Sequence, residues 1–245
     1  MASAVAARRT KFSLAWRRAL ILAPVLALMA ADRPSGFGPK PKVAADLPLV
    51  LQDDFERDAL GGWEPTDPKA WRITRLEANR VLDQHRASKY EPPVRSPFNL
   101  ALARNVDVGD LVMDVEVHST GRDYGHRDLC FVFGRQDPSH FYYVHLGKTA
   151  DPHANSIFLV NGKPRVSIAE SRTKGTAWTE EWHHVRIVRK VKDGLIQVYF
   201  DDMETPAMTA HDTTFAHGGV GLGSFDDTGQ FDSLQVWGAP VKPAG

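Results

Sequence analysis

The sequence predicts an all-β fold, a sandwich or barrel of antiparallel strands, on three grounds. About a dozen short apolar runs of strand length recur along the chain, bounded by Gly, Pro, Asn and Asp. No run has the long 3.6-residue periodicity of an amphipathic helix. Asp193-Gly194 lies between the alternating runs 182–191 and 195–200, which is a strong hairpin signal. Short strands separated by regular turns favour a sandwich or barrel.

The run 110–118 has the clearest alternation. Its apolar side chains at 111, 113, 115 and 117 share one face, and Asp114, Glu116 and His118 share the other. This pattern predicts a strand with one buried and one wetter face. The two carboxylates could act as acid and base on a glycoside, and the alternative is a solvated face of alternating charge. The other predicted strands are 49–51, 71–74, 80–82, 98–103, 129–133, 141–146, 157–160, 166–168, 218–224 and 231–237.

The ends of the chain differ in composition from its middle. The first 31 residues hold five bases and no acid, and a basic stretch is followed by the apolar run 19–31. This pattern predicts a signal peptide over 1–31, and hence a periplasmic or extracellular protein; an uncleaved anchor is the alternative. The run is short for a membrane span, so no span is expected in the mature chain. A linker over 32–47, one domain over 48–238 and a flexible tail over 239–245 complete the predicted organisation.

Charge and cysteine content exclude some classes. The 30 Lys and Arg balance the 30 Asp and Glu, which argues against nucleic acid as a main partner. Cys130 is the single cysteine, so no intrachain disulfide can form. Because it lies inside an apolar run, we expect a buried, inert thiol rather than a nucleophile. The ten His lack a zinc-type spacing, so zinc is not predicted from the sequence.

The stretch 124–165 carries the strongest functional signal. In the strand 141–146, Phe141, Tyr143 and His145 share one face, and the loops around it are rich in polar residues. We predict that this face forms a sugar-binding groove. Tyr143 and His145 are the candidate catalytic residues, with Tyr or His as a base. The predicted substrate-binding residues are Arg127, His126, Lys148, His153 and Asn155. The alternative is that these are ordinary loop polar groups and a satisfied strand histidine.

Acidic residues cluster near both ends of the domain, in 53–56 and in 226–232. If the first and last strands are neighbours, their carboxylates could hold a structural Ca²⁺, which prefers oxygen ligands. Asp54, Glu56 and Asp232 are the predicted metal ligands. The alternative is that these residues cap turns.

Several segments resemble the concanavalin A-like lectin/glucanase superfamily, and its laminin-G-like and 3-keto-disaccharide hydrolase (family-16-like) members most of all. They are Asp54-Phe55-Glu56 before Gly62-Trp63, the pair 182–188 and 196–202, and Gly219-Val220-Gly221-Leu222-Gly223 before Phe231-Asp232-Ser233-Leu234. The resemblance covers roughly 48–237 and implies a jelly-roll β-sandwich of two antiparallel sheets. The run Asp114-Val115-Glu116 lacks the leading Glu of the family-16 glucanases, so the family's catalytic set does not carry over.

The resemblance implies a secreted carbohydrate-binding or carbohydrate-active protein, with glycoside hydrolysis as one activity of such folds. The alternatives are a non-catalytic glycan-binding module and a polysaccharide lyase that uses Tyr or His with Arg or Lys. The expected partner is a polysaccharide or oligosaccharide.

Overall fold

A computed structural model describes Met1 and residues 37–241 of the chain. Apart from Met1, the predicted signal peptide lies outside the described residues, as does 242–245. The described part forms 16 strands and two single-turn 3-10 helices, Lys42–Ala44 and Pro68–Ala70. The strands are β1 (Leu49–Asp53), β2 (Trp63–Pro65), β3 (Trp71–Leu76), β4 (Asn79–Gln84), β5 (Asn99–Ala103), β6 (Val108–Ser119), β7 (Asp128–Asp137), β8 (His140–Gly147), β9 (Ser156–Asn161), β10 (Val166–Ser167), β11 (Ser171–Arg172), β12 (His183–Arg189), β13 (Leu195–Phe200), β14 (Met208–His211), β15 (Gly219–Ser224) and β16 (Gly229–Pro240).

Two antiparallel sheets pack face to face, which confirms the predicted all-β sandwich. The nine-stranded sheet has the order β11-β14-β13-β12-β6-β16-β4-β3, and β1 also pairs with β16. The seven-stranded sheet has the order β10-β9-β8-β7-β15-β5-β2. The first and last strands are therefore neighbours, as expected. No helix among the described residues is long and apolar enough to cross a membrane.

The main core lies between the sheets and follows from strand alternation. Leu111, Met113, Val115 and Val117 of β6 all point into it, as the sequence pattern predicted. From the opposite sheet, the even-numbered residues 142, 144 and 146 of β8 point into the same core. Because successive side chains face opposite ways, the odd-numbered residues of β8 lie on the outer face of the seven-stranded sheet.

The Gly-rich strand β15 lies between β5 and β7. A Cβ atom on Gly223 would lie 2.0 Å from the backbone oxygen of Asn99. Only glycine therefore allows the backbones to approach this closely, which explains why a strand here is rich in glycine.

The domain extends a little beyond its predicted limits. Ala44, placed by the sequence in a linker with little to bury, is fully buried against Val112, Val188 and Trp237 on the outer face of the nine-stranded sheet. A short apolar group next to a Pro-rich segment was not a strong enough pattern to predict this packing. At the other end, β16 runs through Pro240, two residues past the predicted domain end at 238.

Candidate functional site

The outer face of the seven-stranded sheet is covered rather than open. Phe141, Tyr143 and Phe158 pack there with Cys130 and other buried residues of the neighbouring strands. Leu102 of β5 packs against this cluster within the sheet, and Val94 and Phe225 pack against it from segments outside the strands. The sheet is therefore buried on both faces over much of its area, which accounts for near-continuous apolar runs such as 129–133.

At one edge of this cover a cavity of about 470 Å³ opens to solvent. Its wall combines aromatic rings, imidazoles, guanidinium groups and carboxylates. The lining residues are Pro92, Arg95, Ser96, Phe98, Tyr124, His126, Asp128, His145, His153, Arg165, Phe225 and Asp226. A volume of this size is in the range of small-molecule binding sites.

Strand register brings together three chemically active side chains, of which Asp128 and His145 line the cavity. Cys130 on β7 is directly opposite His145 on β8 in the antiparallel ladder. Asp128 lies two residues before Cys130 on the same strand and therefore on the same face. One ligand atom from each of the three residues lies within 4.8 Å of the others, and all three side chains are buried.

One hydrogen bond of His145 places a proton on Nδ1. Nδ1 lies 3.0 Å from the backbone oxygen of His153, which can only accept, so Nδ1 carries a proton. Nε2 lies 3.2 Å from Oδ2 of Asp128. Although this is ion-pair distance, Nε2 is not aligned for a hydrogen bond with Asp128 or any other described group, and it is buried.

The Asp128 carboxylate is the centre of this arrangement. Its Oδ2 accepts the backbone N–H of Phe225 at 3.2 Å and the thiol of Cys130 at 3.3 Å. Burial favours the neutral acid, but the interaction with the neighbouring imidazole of His145, together with these hydrogen bonds, outweighs burial and lowers the pKa of Asp128. Burial raises the pKa of the Cys130 thiol well above its ordinary value, and the Asp128 charge adds to the effect.

Two further acids from the β15–β16 turn join Asp128. One carboxylate oxygen from each of Asp128, Asp226 and Asp227 lies within 4.8 Å of the others. Oδ2 of Asp227 accepts the Tyr124 hydroxyl at 3.1 Å and the backbone N–H of Asp128 at 2.9 Å. Burial, and then the nearby charge of Asp128, raise the pKa of Asp227 to about 7.

Arg165 forms part of the cavity wall. Its guanidinium carbon lies 4.2 Å from the centroid of the Phe225 ring, a cation–π contact, and 5.3 Å from that of Phe158. Its Nη2 donates to the same His153 oxygen that Nδ1 of His145 contacts, at 3.0 Å. Nε and Nη1 are buried without a hydrogen-bond partner. The His153 carbonyl thus connects the floor of the cavity to its wall.

Three of the residues that the sequence singled out line this cavity: His126, His145 and His153. Tyr143 lies beneath the cavity instead. Its side chain is fully buried, its ring stacks on Phe158 with centroids 5.0 Å apart, and its hydroxyl has no hydrogen-bond partner. Burial raises its pKa well above the ordinary value. A phenol held in this state is a poor base and cannot touch a ligand, so the geometry argues against the predicted catalytic role.

Arg127, Lys148 and Asn155, predicted to bind substrate, are not in the cavity lining. Arg127 is buried, and its guanidinium donates to Ser119, Thr179 and Glu180. Arg127 therefore joins the end of β6 to the segment before β12 through hydrogen bonds. Lys148 bonds to the carboxylate of Asp123.

Asn155 has a structural role in the loop after β8. It is fully buried with a left-handed backbone (φ 50°), a conformation that Asn tolerates better than most residues. Its amide donates to the backbone oxygen of Thr173 at 2.9 Å and accepts from the Thr176 hydroxyl at 2.9 Å. These bonds hold the loop 171–176 against the sheet.

The predicted Ca²⁺ ligands lie near the β1–β16 pair, but each is engaged by protein. Asp54 accepts the backbone N–H of Glu56, and Glu56 accepts that of Arg80. Asp232 accepts the side-chain amide of Asn79 at 2.9 Å. Within residues 37–241, the acids grouped closely enough to share an ion are Asp128, Asp226 and Asp227. A Ca²⁺ ion on Asp54, Glu56 and Asp232 stays a prediction.

Sequence reasoning missed several lining residues: Arg95, Phe98, Asp128, Arg165, Phe225 and Asp226. Asp128 and Arg165 lie inside the stretch already singled out, and the pattern Asp-x-Cys at the start of β7 was an available signal. The others come from distant segments whose proximity depends on the tertiary fold.

No protein-family model and no curated protein sequence matches the chain. Solved structures do match. The carbohydrate-binding module CBM66 from Bacillus subtilis aligns with a TM-score of 0.51 and 14% identity, over 74% of this chain and 97% of that one. A single-substitution mutant of the GH43 protein BlXynB from Bacillus licheniformis aligns with a TM-score of 0.52 and 14% identity, over 79% of this chain and 41% of that one. The Emp47p carbohydrate recognition domain aligns with a TM-score of 0.50 and 14% identity, over 78% and 97%. At these identities the similarity shows a shared fold alone.

Proposed function

We propose that this chain is a carbohydrate-binding protein of the concanavalin A-like kind, with the sugar bound in the cavity over the seven-stranded sheet. The observation that carries the proposal is the composition of the cavity wall. Phe98, Phe225 and Tyr124 offer ring surfaces, and Arg95 and Asp226 offer a charged donor and an acceptor. Aromatic rings beside convergent polar and charged groups are a common arrangement in small-molecule sites.

The structural neighbours support this proposal without deciding it. One neighbour is described as a carbohydrate-binding module and another as a carbohydrate recognition domain, and both align over 97% of their own length. Sandwiches of this kind host many activities, so the fold alone does not identify the function. The neighbours make sugar binding a reasonable expectation, and the residues of the cavity supply the specific argument for it.

The geometry favours binding over catalysis. Tyr143 cannot reach a ligand, as described above. We therefore prefer a binding protein to a hydrolase or a lyase.

Export of this protein belongs to the same proposal. The basic-then-apolar sequence of 1–31 is the basis for a periplasmic or extracellular location. N-terminal sequencing of the exported protein should find a start near Ala30 or Ala31, and a protein that still begins at Met1 would contradict cleavage.

A glycan array followed by calorimetry on the best ligand tests the binding proposal, and two arginine variants locate the site. Arg95→Ala removes an exposed guanidinium from the cavity. Arg86→Ala is the matched control, since Arg86 is also exposed but lines a separate surface concavity with Lys69, Lys89 and Tyr90. We expect Arg95→Ala to weaken binding and Arg86→Ala to leave it unchanged.

Two results would overturn the proposal. If no glycan binds at any concentration tested, the cavity is not a sugar site. If Arg86→Ala abolishes binding while Arg95→Ala has no effect, sugar binds at the other concavity. Assays for new reducing ends and for unsaturated products, run on the same glycans, should stay negative for a binding protein.

A further inference from the structure

We propose that Asp128, Cys130 and His145 form a binding site for a divalent transition-metal ion of the zinc class, beneath the sugar cavity. The three side chains share one face of the seven-stranded sheet because of strand alternation and register. Their ligand atoms lie within 4.8 Å of one another. The proposal concerns different residues from the predicted Ca²⁺ ligands and does not depend on sugar binding.

His145 supplies the observation that points to a cation. Its Nδ1 proton is committed to the His153 carbonyl at 3.0 Å. A histidine that donates one ring N–H to a backbone carbonyl and presents the other nitrogen to a metal is the usual second-shell arrangement of metal sites. The other nitrogen, Nε2, is buried without an aligned hydrogen-bond partner, and the whole residue is 5% exposed.

The neighbour of Nε2 strengthens the argument. In the neutral tautomer with a proton on Nδ1, Nε2 carries a lone pair, and that lone pair is 3.2 Å from a carboxylate oxygen. Two electron-rich atoms at this distance in a buried place repel each other unless a positive charge lies with them. A metal ion or a second imidazole proton can supply that charge.

The third ligand favours the metal ion over the proton. Sγ of Cys130 lies 3.3 Å from the same Asp128 oxygen, so nitrogen, sulfur and oxygen donors converge. A proton needs only His145 and Asp128, whereas a set of His, Cys and Asp matches the ligands that zinc takes. Asp226 and Asp227 group with Asp128 and not with Cys130 or His145, so the proposed ligand set is the three residues Asp128, Cys130 and His145.

Binding changes protonation but not oxidation state. His145 binds through the neutral Nε2, and Asp128 binds as the carboxylate. The S–H bond of Cys130 breaks, its electron pair forms the metal–sulfur bond, and the proton leaves to solvent. The sequence could not reveal this site from spacing, because His145 reaches Cys130 through pairing of β7 with β8 and not through a short motif.

Cobalt provides a direct test, because this chain has a single cysteine. The purified protein, free of affinity tags, is stripped with a chelator and titrated with Co²⁺ and then with Zn²⁺. We expect ligand-field bands in the visible region and a thiolate-to-cobalt charge-transfer band in the near ultraviolet. Zn²⁺ should abolish both. Since Cys130 is the only thiol, the charge-transfer band in the unmodified protein identifies the ligand without any substitution.

Substitutions of single ligands then test the contribution of Cys130 and of His145 to Co²⁺ binding. Cys130→Ser should lose the charge-transfer band, and His145→Gln should weaken Co²⁺ binding, with folding checked by circular dichroism. His211→Gln is the matched control, since His211 is exposed and pairs with Glu170 away from the cavity. Absence of the charge-transfer band in the unmodified protein would overturn the proposal, whether no cobalt binds or cobalt binds only the three acids. Sugar binding that survives chelation would leave the proposed function intact, so the two proposals fail separately.

Discussion

The outer faces of the two sheets arise from similar alternating strands but use their polar groups differently. On the nine-stranded sheet, the carboxylate of Asp114 accepts hydrogen bonds from Nε and Nη2 of Arg186, each at 2.6 Å, and lies 3.4 Å from Nε2 of His184. On the seven-stranded sheet, the Tyr143 hydroxyl and Nε2 of His145 are buried without a hydrogen-bond partner. Because buried polar groups are normally hydrogen-bonded, the second face carries the groups that call for a functional explanation.

The outer faces of the two sheets also differ in how they are packed. The outer face of the seven-stranded sheet is covered by its own apolar cluster, so it should contribute to stability like a core. The paired charges on the other sheet are satisfied, and they should contribute through hydrogen bonds. Three stability predictions test this contrast, from the largest expected effect to the smallest.

The largest effect is expected for Phe158→Ala. Phe158 lies on the outer face of β9, is 1% exposed and stacks on Tyr143. We expect the free energy of unfolding to fall by about 3–5 kcal/mol, as for a buried aromatic residue. Urea unfolding measures the change, and Ile157→Ala on the inner face of the same strand is the control. A loss below about 0.5 kcal/mol would mean that this face behaves as open surface.

A middle effect is expected for Arg186→Met. Loss of the two bonds leaves the largely buried Asp114 without its main partner, so we expect a loss of about 1.5–3 kcal/mol at neutral pH. Burial raises the pKa of Asp114, but Arg186 and His184 outweigh it and hold the pKa below its ordinary value of 3.8. The stabilisation is therefore present above pH 3.8 and is lost as the pH falls through the native pKa.

Urea unfolding at several acid pH values checks the sign of that dependence. The unmodified protein should lose stability below pH 3.8 more steeply than Arg186→Met, because only the former has the pair to lose. Equal slopes for the two proteins would show that Asp114 is not held in its charged form by Arg186.

The smallest effects come from adjacent tyrosines on opposite faces of β8. The Tyr142 hydroxyl bonds to the Asp212 carboxylate and accepts the backbone N–H of Phe215 at 3.0 Å, whereas the Tyr143 hydroxyl has no partner. Tyr142→Phe should therefore cost about 0.5–1.5 kcal/mol, and Tyr143→Phe should be neutral or slightly stabilising. Thermal or urea unfolding of both variants measures the two changes in the free energy of unfolding. A larger loss for Tyr143→Phe would reveal a partner for that hydroxyl.

The two sheets also show what sequence can predict. In β6 the residues 111–118 alternate between apolar and polar apart from Val112, so the pattern predicted the buried face correctly. In β8 both faces carry aromatic residues, and the pattern identified the inner face of 142, 144 and 146 but not the cover over Tyr143. That cover includes Val94 and Phe225, which are distant in sequence from β8.

Candidate site residues were predictable where they lay in one stretch. Half of the cavity lining falls within 124–165, the stretch that the sequence singled out: Tyr124, His126, Asp128, His145, His153 and Arg165. Composition could not distinguish a ligand-facing cation from a structural one. Arg127 and Arg165 look alike in sequence. All three guanidinium nitrogens of Arg127 donate hydrogen bonds to protein groups, whereas Nε and Nη1 of Arg165 have no hydrogen-bond partner.

The most direct test of the central claim is amide chemical-shift mapping of the isotopically labelled protein with the best-binding glycan. We expect the shifted amides to cluster around the cavity, at 94–96, 98, 124–128, 145, 153, 165 and 225–227. Shifts confined to the outer face of the nine-stranded sheet, around Asp114, Arg186 and Tyr199, would contradict it.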